Sequence, residues 1–158
     1  MDPLRNRILI FLLMFVVFGA GCATNMTCDP AYANGLRSGD VFELKDDAFY
    51  YIYSDAVIIP QNSITFDFSV SDWLNNPDAI NDDSKKYIKG VVSKKTRIEF
   101  IKIIGHPSVM TGLNVNYYGR VVSGPYKGRR NVILDHLLFF GGTEKGITDK
   151  YLSKVERD

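Results

Sequence analysis

The chain is expected to fold as a mainly β domain, a small antiparallel barrel or sandwich with a long inserted loop and a short C-terminal helix. Three observations predict this. Nine Tyr and ten Phe among 158 residues favour pleated, half-buried strands over helices. Short apolar runs recur between turns rich in Gly, Asn and Asp, and nothing resembles the regular strand-helix alternation that builds a parallel sheet. No internal repeat is visible.

The leader stands apart from the domain. Arg5 and Arg7 open it, residues 8–18 are unbroken apolar, and Gly19-Ala20-Gly21-Cys22 follows. A basic start, a short apolar middle and small residues are the layout of a secretory signal. Crossing a bilayer as a helix takes roughly eighteen or more apolar residues, so this run is too short to span comfortably. The small-residue trio ending in Cys22 resembles the lipobox of bacterial lipoproteins, with Gly19 where that family usually has Leu.

The lipobox resemblance implies that residues 1–21 are a signal peptide to be removed. It also implies that Cys22 carries a diacylglyceryl group and a further acyl chain such as palmitate. About two chains suffice for stable attachment, so this is a durable membrane anchor. Ala23, rather than Asp, after the Cys implies the outer membrane, with the protein facing the periplasm. Ordinary signal-peptidase cleavage close by and an uncleaved signal anchor are the alternatives. If Cys22 is acylated, Cys28 is left as a free thiol or as a partner for another chain; a bridge between the two would close a loop too small to stabilise much. The triplet Asn25-Met26-Thr27 matches a glycosylation sequon, read as accidental in a bacterial lipoprotein.

Without Asp2, Arg5 and Arg7, the 19 basic and 18 acidic residues fall to 17 of each. A neutral chain lacking a long Lys/Arg block gives no reason to expect nucleic-acid binding. The short basic clusters at 94–95 and 127–130 read as turn residues facing water. About 135 residues remain after the leader, enough for one domain with a modest core.

Residues 22–37 read as the lipidated Cys and a flexible tether reaching on the order of 20 Å, and residues 38–158 as the domain. After a turn at 38–40, strands are expected over 41–44 and 48–53, with Phe49, Tyr51 and Tyr53 on one face and Tyr50 and Ile52 on the other. A half-buried strand is expected at 64–70, with Ile64, Phe66, Phe68 and Val70 inward. Residues 71–89 read as a long loop holding one or two helical turns. Within it, Trp73 is either a lid on the core or an exposed partner contact.

Strand character returns at 90–92 and at 96–104, where Ile98, Phe100, Lys102 and Ile104 share a face. Another strand runs over 115–122, with Gly119 marking a bulge or bend. A Gly/Pro-rich turn leads to a strand at 131–134, and a helical turn is expected at 135–140. The tail from 148 to 157 reads as a helix capped by Thr148, with Tyr151, Leu152 and Val155 along one edge.

Lys94-Lys95-Thr96 before a central strand and the turn from Gly124 to Gly128 before the next strand resemble the second half of bacterial SH3-like barrels, over roughly residues 39–140. Lys95 stands where that family has Gly. The resemblance implies a small SH3-like barrel with a long insertion between Val70 and Lys89. Such exported modules often accompany peptidoglycan hydrolases.

An enzyme is not expected. Cys28 lies in the tether, so no credible thiol nucleophile is available. His106 and His136 lack zinc-ligand spacing, so neither a metal nor a cofactor is expected. The acidic run at 78–83 lacks the Gly and Glu of a calcium loop. The leading expectation is a non-enzymatic envelope lipoprotein that binds a periplasmic protein or peptidoglycan through exposed aromatics, with Trp73, Tyr117, Tyr118 and Tyr126 as candidates. The alternative is a cell-wall hydrolase accessory or weak hydrolase using Asp67, Asp135 or His136. A protein protecting its own cell against a toxin or phage needs only a binding surface and is not separable by sequence from the first.

Overall fold

The computed structural model describes residues 23–61, 66–80, 82–108, 110–138 and 150–156. Cys22, Ile64, Phe139, Phe140 and Thr148 lie outside them. The protein is mainly β. Its strands are β1 (Thr24–Asn25), β2 (Val41–Leu44), β3 (Ala48–Ile52), β4 (Ala56–Pro60), β5 (Ile88–Val92), β6 (Arg97–Ser108), β7 (Gly112–Val121), β8 (Val132–Ile133) and β9 (Leu152–Val155). Three short helices, α1 (Pro30–Ala33), α2 (Val70–Asn75) and α3 (Asp135–Leu138), join them.

These strands form one sheet in the order β5-β3-β4-β8-β7-β6-β2-β9, with β1 beside β6. Every pairing is antiparallel except β4 with β8. The sheet is open rather than closed. It nevertheless coils so that Val92 from one edge strand and Leu152 from the other reach the same core, together with Phe42, Phe100, Val121 and Leu137.

The second strand pattern explains its own burial. Residues Ala48, Phe49 and Tyr50 are all buried in sequence, the mark of a strand covered on both faces. Tyr50 joins the main core. Phe49 faces a second cluster with Ile59, Phe66, Val70 and Ile88. The segment from Phe66 to Tyr87 is therefore a cover that shields the outer face of β3–β5. Two 3₁₀ turns, Pro77–Ala79 and Asp83–Tyr87, complete it.

Four expectations are corrected by the structure. The strand expected at 64–70 is absent over its described part: Ser69 caps α2 by accepting from the Asp72 amide while the Asp72 side chain accepts from the Ser69 amide, a capping box that starts a helix at Val70. Phe66 and Val70 are still buried as expected. The C-terminal helix is instead β9 over its described residues, since Leu152 and Val155 pair with Leu44 and Val41 of β2. Residues 24–36, read as a tether, are seated on the sheet. Met26 N donates to Ile103 O at 2.9 Å, Thr27 Oγ1 accepts from Ile103 N at 2.9 Å, and Leu36 is buried. Their few apolar side chains find places in the core that no local pattern announces.

The fourth correction concerns β6. Its register shifts between Phe100 and Lys102, opposite Gly119 and Tyr118 of β7. A one-residue slip reverses which side chains face the core. Ile103 is therefore buried in place of Lys102 and Ile104, and Lys102 lies against the Tyr118 ring, 5.5 Å from its centre. The bulge expected near Gly119 is thus present, and a Cβ at Gly119 would lie 2.9 Å from Glu99 O.

Candidate functional site

The concave surface of chemical interest arises because β8 is only two residues long. It pairs Ile133 with Tyr118 and Val132 with Gly119, and the chain then turns at Leu134 into α3. Leu134 N donates to Tyr117 O at 2.8 Å. Asp135 Oδ1 accepts from Tyr117 N at 2.8 Å. A carboxylate thus replaces the next ladder partner of β7. Beyond that point β7 runs on toward Gly112 with β6 on one side and, among the described residues, no strand on the other.

Asp55 arrives at the same place from the turn between β3 and β4, because β4 lies alongside β8. His106 arrives from β6, in register with Asn114 of β7. Together Asp55, His106, Asn114, Asn116, Tyr118 and Asp135, with Leu113 and Val115, line an open concavity of about 660 Å³. Among the described residues no Lys or Arg belongs to that lining.

Burial pushes the Asp135 carboxyl up to about 6, against the opposing pull of the Tyr117 amide and its own amide. His136 stands exposed next to it, with an imidazole pKa lowered by the protein packed on its inner side.

No family model, curated protein or solved structure matches the chain.

Of the four aromatics expected as contacts, Tyr118 lines the concavity. Tyr117 belongs to the core instead: its ring is buried, its hydroxyl donates to Tyr32 O at 2.7 Å, and desolvation raises its pKa. The alternation of β7 sends the two neighbouring tyrosines to opposite faces. Tyr126 is half-buried, stacked on Tyr50 with ring centres 4.3 Å apart, and its hydroxyl donates to Lys89 O at 3.3 Å. It covers Gly90, whose φ of 150° and closeness to that ring leave no room for a side chain. Trp73 is half-buried on α2 against the second cluster, a cover on the outer face of β3–β5.

Asp67 is separated from Asp135 by the fold. It lines a second open cleft of about 810 Å³ with Asp72, Asp82 and Asp83. The carboxyls of Asp72 and Asp82 already accept from the amides and hydroxyls of Ser69 and Ser84, and these bonds hold both pKa values below the usual carboxylate range. Among the described residues no group of three His, Cys, Asp or Glu side chains is placed to hold a metal ion. Cys28 is exposed with a free thiol.

Asp55, Asn114 and Asn116 stand out in no sequence pattern, and His106 is marked there only as a histidine without zinc-ligand spacing. Each is unremarkable in its own segment. Only the parallel placement of β4 beside β8 and the β6–β7 hairpin bring them together.

Proposed function

We propose that this chain is a membrane-anchored envelope lipoprotein, held by lipid on Cys22, whose domain acts without catalysis as a binding module for a periplasmic protein or peptidoglycan. The anchoring half rests on the leader of residues 1–22. The single observation carrying the binding half is the concavity at the β7–α3 junction, where hydrogen-bonding side chains from four separate segments converge around Tyr118. Recognition through such a surface needs no metal or cofactor. The outer membrane, facing the periplasm, is the proposed location, from Ala23 after the Cys.

The finer fold reading, a small SH3-like barrel, is also a proposal. It is supported by the long β6–β7 hairpin followed by the Gly124 to Gly128 turn before β8, and by the coiling of both sheet edges around one core.

Three measurements test the function. Mass spectrometry of membrane-extracted protein should find an acylated Cys22 at the new amino terminus, and Cys22→Ser should release the protein from membranes. The wild-type protein should be retained on purified cell wall or on solubilised envelope proteins. Retention on neither would end the binding reading.

A cell-wall hydrolase accessory or weak hydrolase remains the second reading, favoured by one observation. Glycosidic chemistry uses two carboxyls across a cleft, one of them kept protonated, and Asp55 and Asp135 line one concavity with the Asp135 pKa raised. Release of reducing ends from purified cell wall by wild type, lost in Asp135→Asn, would move the balance to it.

A further inference from the structure

We infer that the concavity bounded by Asp55, Asn116, Tyr118 and Asp135 is a saccharide site, shaped for an uncharged, polyhydroxylated chain such as a glycan strand. The inference deepens the binding reading above and rests on it.

The lining mixes hydrogen-bonding types. Carboxylates accept only, side-chain amides donate and accept, and a tyrosine hydroxyl does both. A sugar hydroxyl likewise donates and accepts, so it can use every member of the set. A metal ion or an ammonium group would use the oxygens alone and offer the Asn114 N–H pair nothing to donate to. An anion would meet Asp55 and Asp135 with no Lys or Arg among the described residues of the lining. Asn114 Oδ1 already accepts from Thr111 Oγ1 at 2.7 Å, which fixes the amide group and leaves its N–H pair to donate.

Leu113, Val115 and Tyr118 belong to the same lining, whose exposed surface is mostly polar with a smaller apolar share, as a pyranose ring presents many hydroxyls around smaller C–H faces. A volume of about 660 Å³ lies within the range of ordinary small-ligand sites.

The β7 edge does not suit a peptide added as a strand. Strand addition takes a run of open backbone groups. Tyr117 turns its amide and carbonyl toward this edge, and both are occupied by Asp135 and Leu134. By strand alternation Val115 and Leu113 face the same way, but Leu113 N already donates to Thr111 O at 3.0 Å. Only Val115 is left with both groups open among the described residues, too short a run to seat a strand.

The test titrates full-length, membrane-extracted protein, in a zwitterionic detergent without sugar headgroups, with a tetramer of N-acetylglucosamine. Saturation-transfer NMR and calorimetry read the binding. Saturable binding is expected, weakened about tenfold or more, the equivalent of one lost hydrogen bond, by Asn116→Ala and by Asp55→Ala. Asp55 is exposed in a turn, so that variant keeps the fold even if Asn116→Ala does not. Asp67→Asn, in the other cleft, should change nothing. Absence of saturable binding, binding indifferent to both variants, or binding of an extended tetrapeptide in its place would each overturn the inference. If the tetramer fails while wild-type protein is still retained on envelope proteins or cell wall, the saccharide assignment alone falls; if retention fails too, the binding reading falls with it.

Discussion

Lys154 Nζ donates to Asp40 Oδ2 at 2.8 Å, joining the last described strand to the entry of β2. The two ends of this pair are unequal. The Asp40 side chain is 11% exposed and the Lys154 side chain 54%. Asp40 Oδ2 also accepts from Arg37 N at 2.9 Å, and its backbone carbonyl accepts from Phe100 N. The carboxylate therefore holds a backbone amide as well as the lysine.

That inequality predicts unequal mutants. Lys154→Ala should cost about 0.5 kcal/mol, the ordinary worth of an ion pair with an exposed end. Asp40→Ala should cost about 1–2 kcal/mol, because the part-buried hydrogen bond from the Arg37 amide is lost as well. Denaturant unfolding of both variants measures the difference; equal costs would mean that the carboxylate matters only through the lysine.

How far the sequence reveals this fold depends on whether a residue's fate is decided nearby. The alternation in β6 and β7 is legible because each strand buries one face, and Gly119 announces the irregularity beside it. The facing of Ile103 is not legible, since a bulge leaves no mark in the apolar pattern. Tyr151, Leu152 and Val155 suit one edge of a helix and one end of a strand equally, and pairing with distant Val41 and Leu44 decides for the strand. Leu36 and Met26 lie among polar residues and are held by contacts across the sheet. The concavity is the extreme case: Asp135 was legible as a candidate carboxyl, whereas Asp55 and Asn116 acquire meaning only from the packing of β4, β7 and β8.

Gly119→Ala should destabilise the domain by about 2 kcal/mol or more. The new methyl would lie 2.6 Å from Leu134 Cδ1 and 2.9 Å from Glu99 O. Leu134 can shift slightly, but the carbonyl belongs to the paired β6 backbone, so strain is relieved only by moving the hairpin. Thermal unfolding tests this. Gly35→Ala supplies a contrast, since no atom lies within 4 Å of its added carbon and its positive φ alone penalises the change.

Asp135→Asn should raise stability at pH 7.5 by roughly 1–2 kcal/mol and leave it nearly unchanged at pH 4. The folded carboxyl is pushed up to about 6 from an ordinary 3.8, so folding disfavours its charge. Below about pH 4 the group is protonated in both states and no penalty exists. The penalty grows as pH rises through 4 to 6 and is constant above. Asn removes the charge while its carbonyl can still accept from the Tyr117 amide. The groups sharing its surroundings are Asp55, His106 and Tyr118 in the concavity and His136 on its own helix, and repeating the measurement in His136→Gln separates the neighbouring imidazole from the carboxyl. A gain that persists at pH 4 would assign the effect to packing instead.

Tyr117 and Tyr118 should behave as opposites, although they are adjacent. Tyr117→Phe keeps the ring that fills the core and removes the hydroxyl bonded to Tyr32 O, so it should cost about 1 kcal/mol of stability and leave retention on cell wall or envelope proteins intact. Tyr118→Ala removes a half-buried ring that meets the concavity on one side and Lys102 on the other. The lost contact with Lys102 is worth only about 0.5–1 kcal/mol, so the fold should survive while retention drops. Pairing unfolding curves with retention for the two variants separates the roles. If both properties fall together in Tyr118→Ala and neither changes in Tyr117→Phe, the ring at 118 is structural and the contact surface lies elsewhere on the domain.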